Sequence, residues 1–158
     1  MARYARQGPV GMGGWLAVFV ATLALNAVAA VVISWGLFHL AGRASTATFS
    51  AFYRTAAVGI ILRGGGYGYL AWRLIARRQS GTVRIVVAGL WLLVLTLPIV
   101  TLVGAWFGSG TAAVGAVLSP TFFRTAGYAA IWTAYLLRSD RVANTYAPTD
   151  NALADVFG

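Results

Sequence analysis

The chain has no cysteine, no lysine and no glutamate, a single histidine and only three aspartates in 158 residues. Without cysteine there is no disulfide, iron–sulfur cluster, thiolate nucleophile or covalent haem attachment. One histidine cannot supply two haem ligands or a zinc set, and no cofactor is expected. No Ser-His-Asp set and no carboxylate pair can be assembled, so catalysis is not expected either. Proton-driven transport is disfavoured for a related reason. Such relays use Asp, Glu or His inside membrane spans, and Asp140, Asp150 and Asp155 all fall beyond the last apolar run.

What is abundant is apolar surface. Hydrophobic residues make up 59% of the chain and charged residues 9%, where ordinary globular domains carry about 25% charged. Four long apolar stretches hold the excess, and a helix needs roughly 20 apolar residues to cross the hydrocarbon core. The fold class expected is all-α: a polytopic membrane protein with four transmembrane helices in a compact bundle. The spans are placed at about 15–40, 54–76, 83–107 and 119–137, within a membrane domain of 15–137. Continuous rather than alternating hydrophobicity argues against a barrel.

Residues 1–14, with Arg3, Arg6 and a Gly-Pro-Val-Gly-Met-Gly-Gly run, are expected to form a cytoplasmic arm at the interface, because glycine and proline at this density oppose a helix. The apolar stretch from Trp15 to Leu40 far exceeds the 7–15 residues or so of a signal h-region and is read as a membrane anchor. Residues 41–53 are assigned to a first loop in which Phe49, Phe52 and Tyr53 form an interfacial turn. Arg77-Arg78-Gln79 makes a tight basic connection, and Pro98 is expected to kink the third helix. Gly108 to Leu118 reads as an uncharged loop, and Ser119-Pro120 as cap and first turn of the fourth helix. Residues 138–158 form the tail, which either docks on a cytoplasmic partner or stays disordered after Asn144.

All twelve basic residues are arginine and the net charge is +9, yet the arginines sit at helix ends rather than on one soluble face. They are topology signals and headgroup anchors, not a nucleic-acid surface. Arg3, Arg6, Arg73, Arg77, Arg78, Arg84, Arg138 and Arg141 fall on one side of a four-span arrangement, and Arg43 and Arg54 on the other. The positive-inside rule then puts both termini on the cytoplasmic side of the membrane. Tryptophans 15 and 72 on the inner side, and 35 and 106 on the outer, fit aromatic belts.

Two arginines lie inside spans. Arg63-x-x-Gly66-Tyr67 in the second helix is echoed by Arg124-x-x-Gly127-Tyr128 in the fourth, at an offset of 61, and each is followed by an arginine fourteen positions after the first. Duplication of a two-helix hairpin is one origin, coincidence in a restricted alphabet the other. Fourteen residues rise about 21 Å, so Arg63 and Arg124 sit at similar depth in the outer half of the bilayer. Neither has a carboxylate within a span. Their expected partners are lipid phosphates, carbonyls, water, an anionic ligand or another protein, and an Arg–Tyr pair at i, i+4 shares a helical face. Arg63, Tyr67, Arg124 and Tyr128 are therefore the candidate lipid, anion or partner contacts. Along the fourth helix, Arg124, Tyr128, Ile131, Tyr135 and Arg138 share one face at the helical period.

Gly64-x-x-x-Gly68 and Gly104-x-x-x-Gly108 carry the spacing that lets helices approach closely. Packing is their expected role, with an unwound, anion-binding segment at Gly64–Gly68 as the alternative. His39 is expected to be interfacial, and Asn26 and Ser34 to bond across helices or to their own backbone. Ser139, Arg141, Val142 and Asn144 mark the exit to the cytoplasm.

Both ends carry recognisable patterns: Gly8-Pro9-x-Gly11-x-Gly13-Gly14-Trp15-Leu16, then Ile131-Trp132-x-x-Tyr135 and Ser139-x-Arg141-Val142-x-Asn144-Thr145-Tyr146. In these the chain resembles a family of small bacterial membrane proteins catalogued as domain of unknown function 2569. Its pattern favours lysine where this chain has Asp140 and Ala143, and phenylalanine at Tyr146. The resemblance implies four membrane helices and no established activity. Two functions are then expected. One is a non-catalytic accessory or assembly subunit packing against a larger membrane complex; the other is an oligomeric lipid- or small-anion-binding transporter or channel built on the intramembrane arginines. The partners expected are membrane lipids, with other membrane subunits or further copies of the chain.

Overall fold

The computed structural model describes residues 11–108 and 120–146, with the backbone alone at residue 80 and at 97–108. Among these residues the chain is all-α. The helices are α1 (Trp15–Arg43), α2 (Ala47–Ala76), α3 (Ser80–Gly108), α4 (Pro120–Arg138) and a short α5 (Asp140–Thr145).

Entry into α1 is set by glycine. Gly14 has φ of 60°, a conformation that costs a residue lacking Cβ little, and its carbonyl accepts from the amides of Ala17 and Val18. The helix runs through Arg43, past the expected end at Leu40. Only Ala44, Ser45 and Thr46 separate it from α2, because the Thr46 hydroxyl caps that helix by accepting from the Phe49 amide. The loop expected over residues 41–53 is thus mostly helix, and Phe49, Phe52 and Tyr53 occupy the first turns of α2. Clustered aromatic residues suggest a break, but a good cap and an unbroken backbone ladder outweigh them.

The turn between α2 and α3 closes by similar means. Thr82, fully buried, donates its hydroxyl to the Arg77 carbonyl at 2.6 Å, while its amide bonds to Gln79. α3 begins at Ser80 rather than Val83 and continues through Pro98. The expected loop at 108–118 and the Ser119 cap fall outside the described residues, apart from Gly108, which ends α3.

Neighbouring helices are antiparallel. Along α1 and α2, Ser34 donates to the Ala57 carbonyl at 3.0 Å, and Gly64 lies directly against Ala30 and the Ala27 carbonyl. Gly68 faces Ala27 one turn further on. A Cβ at Gly64 would overlap the Ala30 methyl, so glycine sets this interhelical distance. α2 is continuous through Gly64–Gly68, whose amides are engaged in the helix, which removes the unwound alternative. α2 meets α3 through a reciprocal fit in which Leu93 fills the space over Gly66 and Leu70 fills the space over Gly89. The surroundings of Gly104 and Gly108 lie outside the described residues. α4 closes the bundle: Phe19 stacks on Trp132 with centroids 4.5 Å apart, and the Trp91 indole donates to Thr133 on the α3 side.

The core runs through Leu16, Phe19, Leu23, Leu70, Leu74, Val86, Leu90, Ala129, Leu136 and Val142. Outside it the surface is apolar. Leu25, Val28, Val31 and Val32 on α1, Leu62 and Ile75 on α2, Leu92 and Leu95 on α3, and Phe123 and Ile131 on α4 are all exposed. By hydropathy and length one described helix, α1, is able to cross a membrane, and Gly81–Thr96 is a shorter apolar stretch. Of the most apolar window of α1 only 28% is buried, which sets it apart from the core helix of a water-soluble domain.

The two ends of the chain meet. Ser139 caps α5, the Val142 side chain is wholly buried, and the Gly11 amide donates to the Thr145 hydroxyl at 3.0 Å. That hydroxyl passes its own proton to the Arg141 carbonyl at 2.7 Å. Arg141 lies over Gly13 so closely that a Cβ there would collide with its guanidinium. Tyr146 reaches across to donate to the Leu74 carbonyl at 2.7 Å. Residues 139–146 are therefore a docked element of the bundle rather than the start of a free tail, and Gly11–Gly14 is its receptor. Residues 1–10 and 147–158 are outside the described residues.

Candidate functional site

Arg63, Tyr67, Arg124 and Tyr128 line a single cleft of about 470 Å³ between α1, α2 and α4. It lies in the half of the bundle away from the docked ends. Asn26, Ala29, Ala30 and Ile33 of α1, Ile60 of α2, and Thr121 and Thr125 of α4 complete the lining. Each helix contributes a stripe at three- and four-residue spacing: Asn26, Ala30 and Ile33; Ile60, Arg63 and Tyr67; Thr121, Thr125 and Tyr128.

The Arg63 guanidinium donates through Nη2 to the Tyr67 hydroxyl at 3.2 Å and lies 5.7 Å from the centre of that ring. Its Nε is buried with no hydrogen-bond partner. The Arg73 Nε, outside the cleft, is buried in the same way. Arg124 is exposed, and among the described residues it has no hydrogen bond or ion pair. The lining contains no carboxylate.

The two Arg–Tyr pairs are not equivalent. Tyr128 turns away from Arg124 and meets the Thr22 hydroxyl at 3.0 Å. Thr22 already donates to the Phe19 carbonyl at 2.7 Å, so Tyr128 is the donor to Thr22. The echo fails again one turn on, where Trp132 is packed against Phe19 but Trp72 is half exposed and lies within 6.0 Å of the Arg77 guanidinium. The face expected on α4 also divides. Ala129 and Leu136 mark its buried line, Tyr128 and Tyr135 lie at the boundary, and Ile131 is 69% exposed. Arg124 shares the outer flank with Ile131 because seven residues bring a helix back almost to the same direction.

Residue spacing alone misses the polar residues between the arginines. Asn26 donates to the Thr22 carbonyl at 2.7 Å and Thr125 to the Thr121 carbonyl at 2.8 Å, so both are anchored to their own helices while lining the cleft. The signal that could find them is a polar pair at i, i+4 in each span, Thr22/Asn26 and Thr121/Thr125. Ser34, by contrast, bonds across to α2. His39 is exposed at the far end of α1, its ring edge-on to Trp35 with centroids 5.8 Å apart. Among the described residues no group of His, Cys, Asp or Glu is placed to hold a metal.

A second concavity, of about 360 Å³, lies between α2 and α3. It is apolar, floored by Gly66, Ala88 and Gly89 and walled by Tyr69, Ile85 and Leu92. One turn beyond it Arg73 donates to the Tyr69 hydroxyl at 2.9 Å.

Helices packed through small residues, exposed apolar side chains, one helix long and apolar enough to cross a membrane and an arginine-lined cleft define an all-α helical bundle. The chain matches the family described as protein of unknown function DUF2569 over residues 9–147, and it belongs to that family. No curated protein and no solved structure matches it. The match takes in both Gly11–Gly14 and Ser139–Tyr146, the two segments that dock against each other.

Proposed function

We propose that this protein is a four-span integral membrane protein, with both termini cytoplasmic, that works by holding an anionic group in the cleft between α1, α2 and α4. The observation that carries this reading is the convergence of Arg63 and Arg124 on one lining that contains no acid. An arginine at the centre of a span costs about 2.5–3.5 kcal/mol on insertion scales, and less in the outer half, where its head reaches outward. Two of them around one space without a carboxylate make sense when an anion neutralises both. Support for the membrane setting comes from the exposed apolar side chains on all four long helices and from Arg73, Arg77, Arg78, Arg84, Arg138 and Arg141, gathered at the end where α5 docks on Gly11–Gly14.

The test is retention of an anion by the purified full-length protein in mild detergent, followed by native mass spectrometry. An anionic adduct on the wild type that is lost from Arg124→Gln supports the reading. The same adducts on both proteins would count against it.

A second reading, an accessory or assembly subunit in a larger membrane complex, is favoured by the groove between α2 and α3. The groove is apolar, and Ala88, small and exposed in it, leaves room for a side chain of another helix, whereas Leu93 and Leu70 fill the space over Gly66 and Gly89. A stoichiometric unrelated protein co-purifying with the wild type, and lost on Ala88→Phe, supports it.

A further inference from the structure

The hydrogen-bond inventory of the cleft narrows the ligand beyond an anion in general, a step that rests on the anion-binding reading. On the α2 side the free groups are donors. The Tyr67 hydroxyl, which accepts from the Arg63 Nη2, keeps its own proton to give, and the Arg63 guanidinium stands beside it. Arg124 adds a guanidinium from α4. Across the cleft acceptors are free as well. Tyr128 spends its proton on Thr22, so its oxygen offers a lone pair. Thr125 spends its proton on Thr121, which leaves its oxygen, and Asn26, with one amide proton on Thr22, keeps its Oδ1 and a second N–H. A bare oxyanion satisfies the donors and leaves these three acceptors unmet. A ligand that carries an oxyanion beside hydroxyl groups satisfies both. An ammonium-bearing headgroup donates to the same acceptors but brings a positive charge beside Arg63 and Arg124, and the lining has no carboxylate to offset it.

The cleft is also open sideways. Asn26, Ala29, Ile33, Thr121 and Arg124 are lining residues that remain exposed, and Val32 and Phe123 stand exposed next to it in sequence. In the membrane setting that side faces hydrocarbon, so a ligand with acyl chains enters laterally and leaves its chains along the apolar flank. We infer that the cleft binds the headgroup of an anionic glycerophospholipid bearing free hydroxyls, its phosphate on Arg63, Tyr67 and Arg124 and its hydroxyls on Asn26, Tyr128 and Thr125.

The test uses the full chain in detergent, with adducts counted by native mass spectrometry for five probes: phosphatidylglycerol, phosphatidic acid, phosphatidylethanolamine, glycerol phosphate and inorganic phosphate. Phosphatidylglycerol is expected to bind about tenfold tighter than phosphatidylethanolamine, and to lose about tenfold on Arg124→Gln, the scale of one charge-assisted contact. Asn26→Ala is expected to weaken phosphatidylglycerol while leaving phosphatidic acid unchanged. Glycerol phosphate binding as well as phosphatidylglycerol would overturn the lipid assignment, and equal effects of Asn26→Ala on both lipids would overturn the hydroxyl assignment. In both cases the anion-binding reading survives provided that Arg124→Gln still weakens binding. Indifference of every probe to Arg124→Gln and Arg63→Gln would sink both readings. Arg124 is exposed, so its substitution leaves the fold intact, and circular dichroism checks Arg63→Gln.

Discussion

Replacing Gly64 by alanine isolates what sets the distance between α1 and α2. In an exposed helix the change is favourable by about 0.8–1.0 kcal/mol, because alanine has less backbone entropy to lose. At Gly64 the new methyl would meet the Ala30 methyl at a separation real side chains do not adopt, with the Ala27 carbonyl close behind it. Neither neighbour has a flexible end that can swing aside, so the helices must part, and overpacking of this kind costs about 1–3 kcal/mol. Gly65 is the internal control. It lies on the same helix one position away, is exposed, and has nothing within 4 Å of a Cβ. Both substitutions gain the same helix propensity, so the difference between them is the overpacking cost alone, about 1–3 kcal/mol. Thermal unfolding of the two variants in the same detergent measures it. Gly64→Ala should melt below Gly65→Ala, and adding Ala30→Gly should recover most of the loss. Equal melting of the two single variants would refute the close approach of α1 and α2 at this point.

Tyr146→Phe should cost about 0.5–1.5 kcal/mol by stranding the Leu74 carbonyl, seen as a lower melting temperature. Burial pushes the Tyr146 hydroxyl up to about 12, against the lowering influence of Arg78, from an ordinary value near 10. The unfolded chain therefore releases this proton first, and stability should fall as pH rises from about 10 through about 12. Tyr146→Phe should flatten that part of the pH profile; an unchanged slope would remove Tyr146 as its source. Ser34→Ala, which deletes the bond to the Ala57 carbonyl, should cost about 0.6–1.7 kcal/mol, read by denaturant unfolding. A reporter fused to the C-terminus should be active only on the cytoplasmic side, and periplasmic activity would overturn the arginine-based topology.

Composition by itself excluded thiol chemistry and covalent haem attachment, and the apolar runs pointed to four long helices close to where they stand. Their boundaries moved where a single side chain decided the matter: the Thr46 cap brought α2 forward by two turns, and the buried Thr82 hydroxyl fixed the turn before α3. Such caps depend on a local hydrogen bond that hydrophobic periodicity does not register. The Arg-Gly-Tyr echo did point to four residues that share one cleft, because α2 and α4 run in the same direction and equal spacing along them gives equal depth.

What counting cannot supply is which way a side chain turns. Only the packing decided that Tyr67 pairs with Arg63 while Tyr128 turns to Thr22, and that Asn26, Thr121 and Thr125 join the lining. Those outcomes depend on which helix lies beside which. The same holds for the two terminal motifs. As sequence they are separate patterns more than a hundred residues apart; in the fold they form one contact, with the Gly11 amide on Thr145 and Arg141 over Gly13. An antiparallel bundle with an even number of long helices returns the chain to the end where it began, and the docking of α5 on Gly11–Gly14 is a consequence of that return.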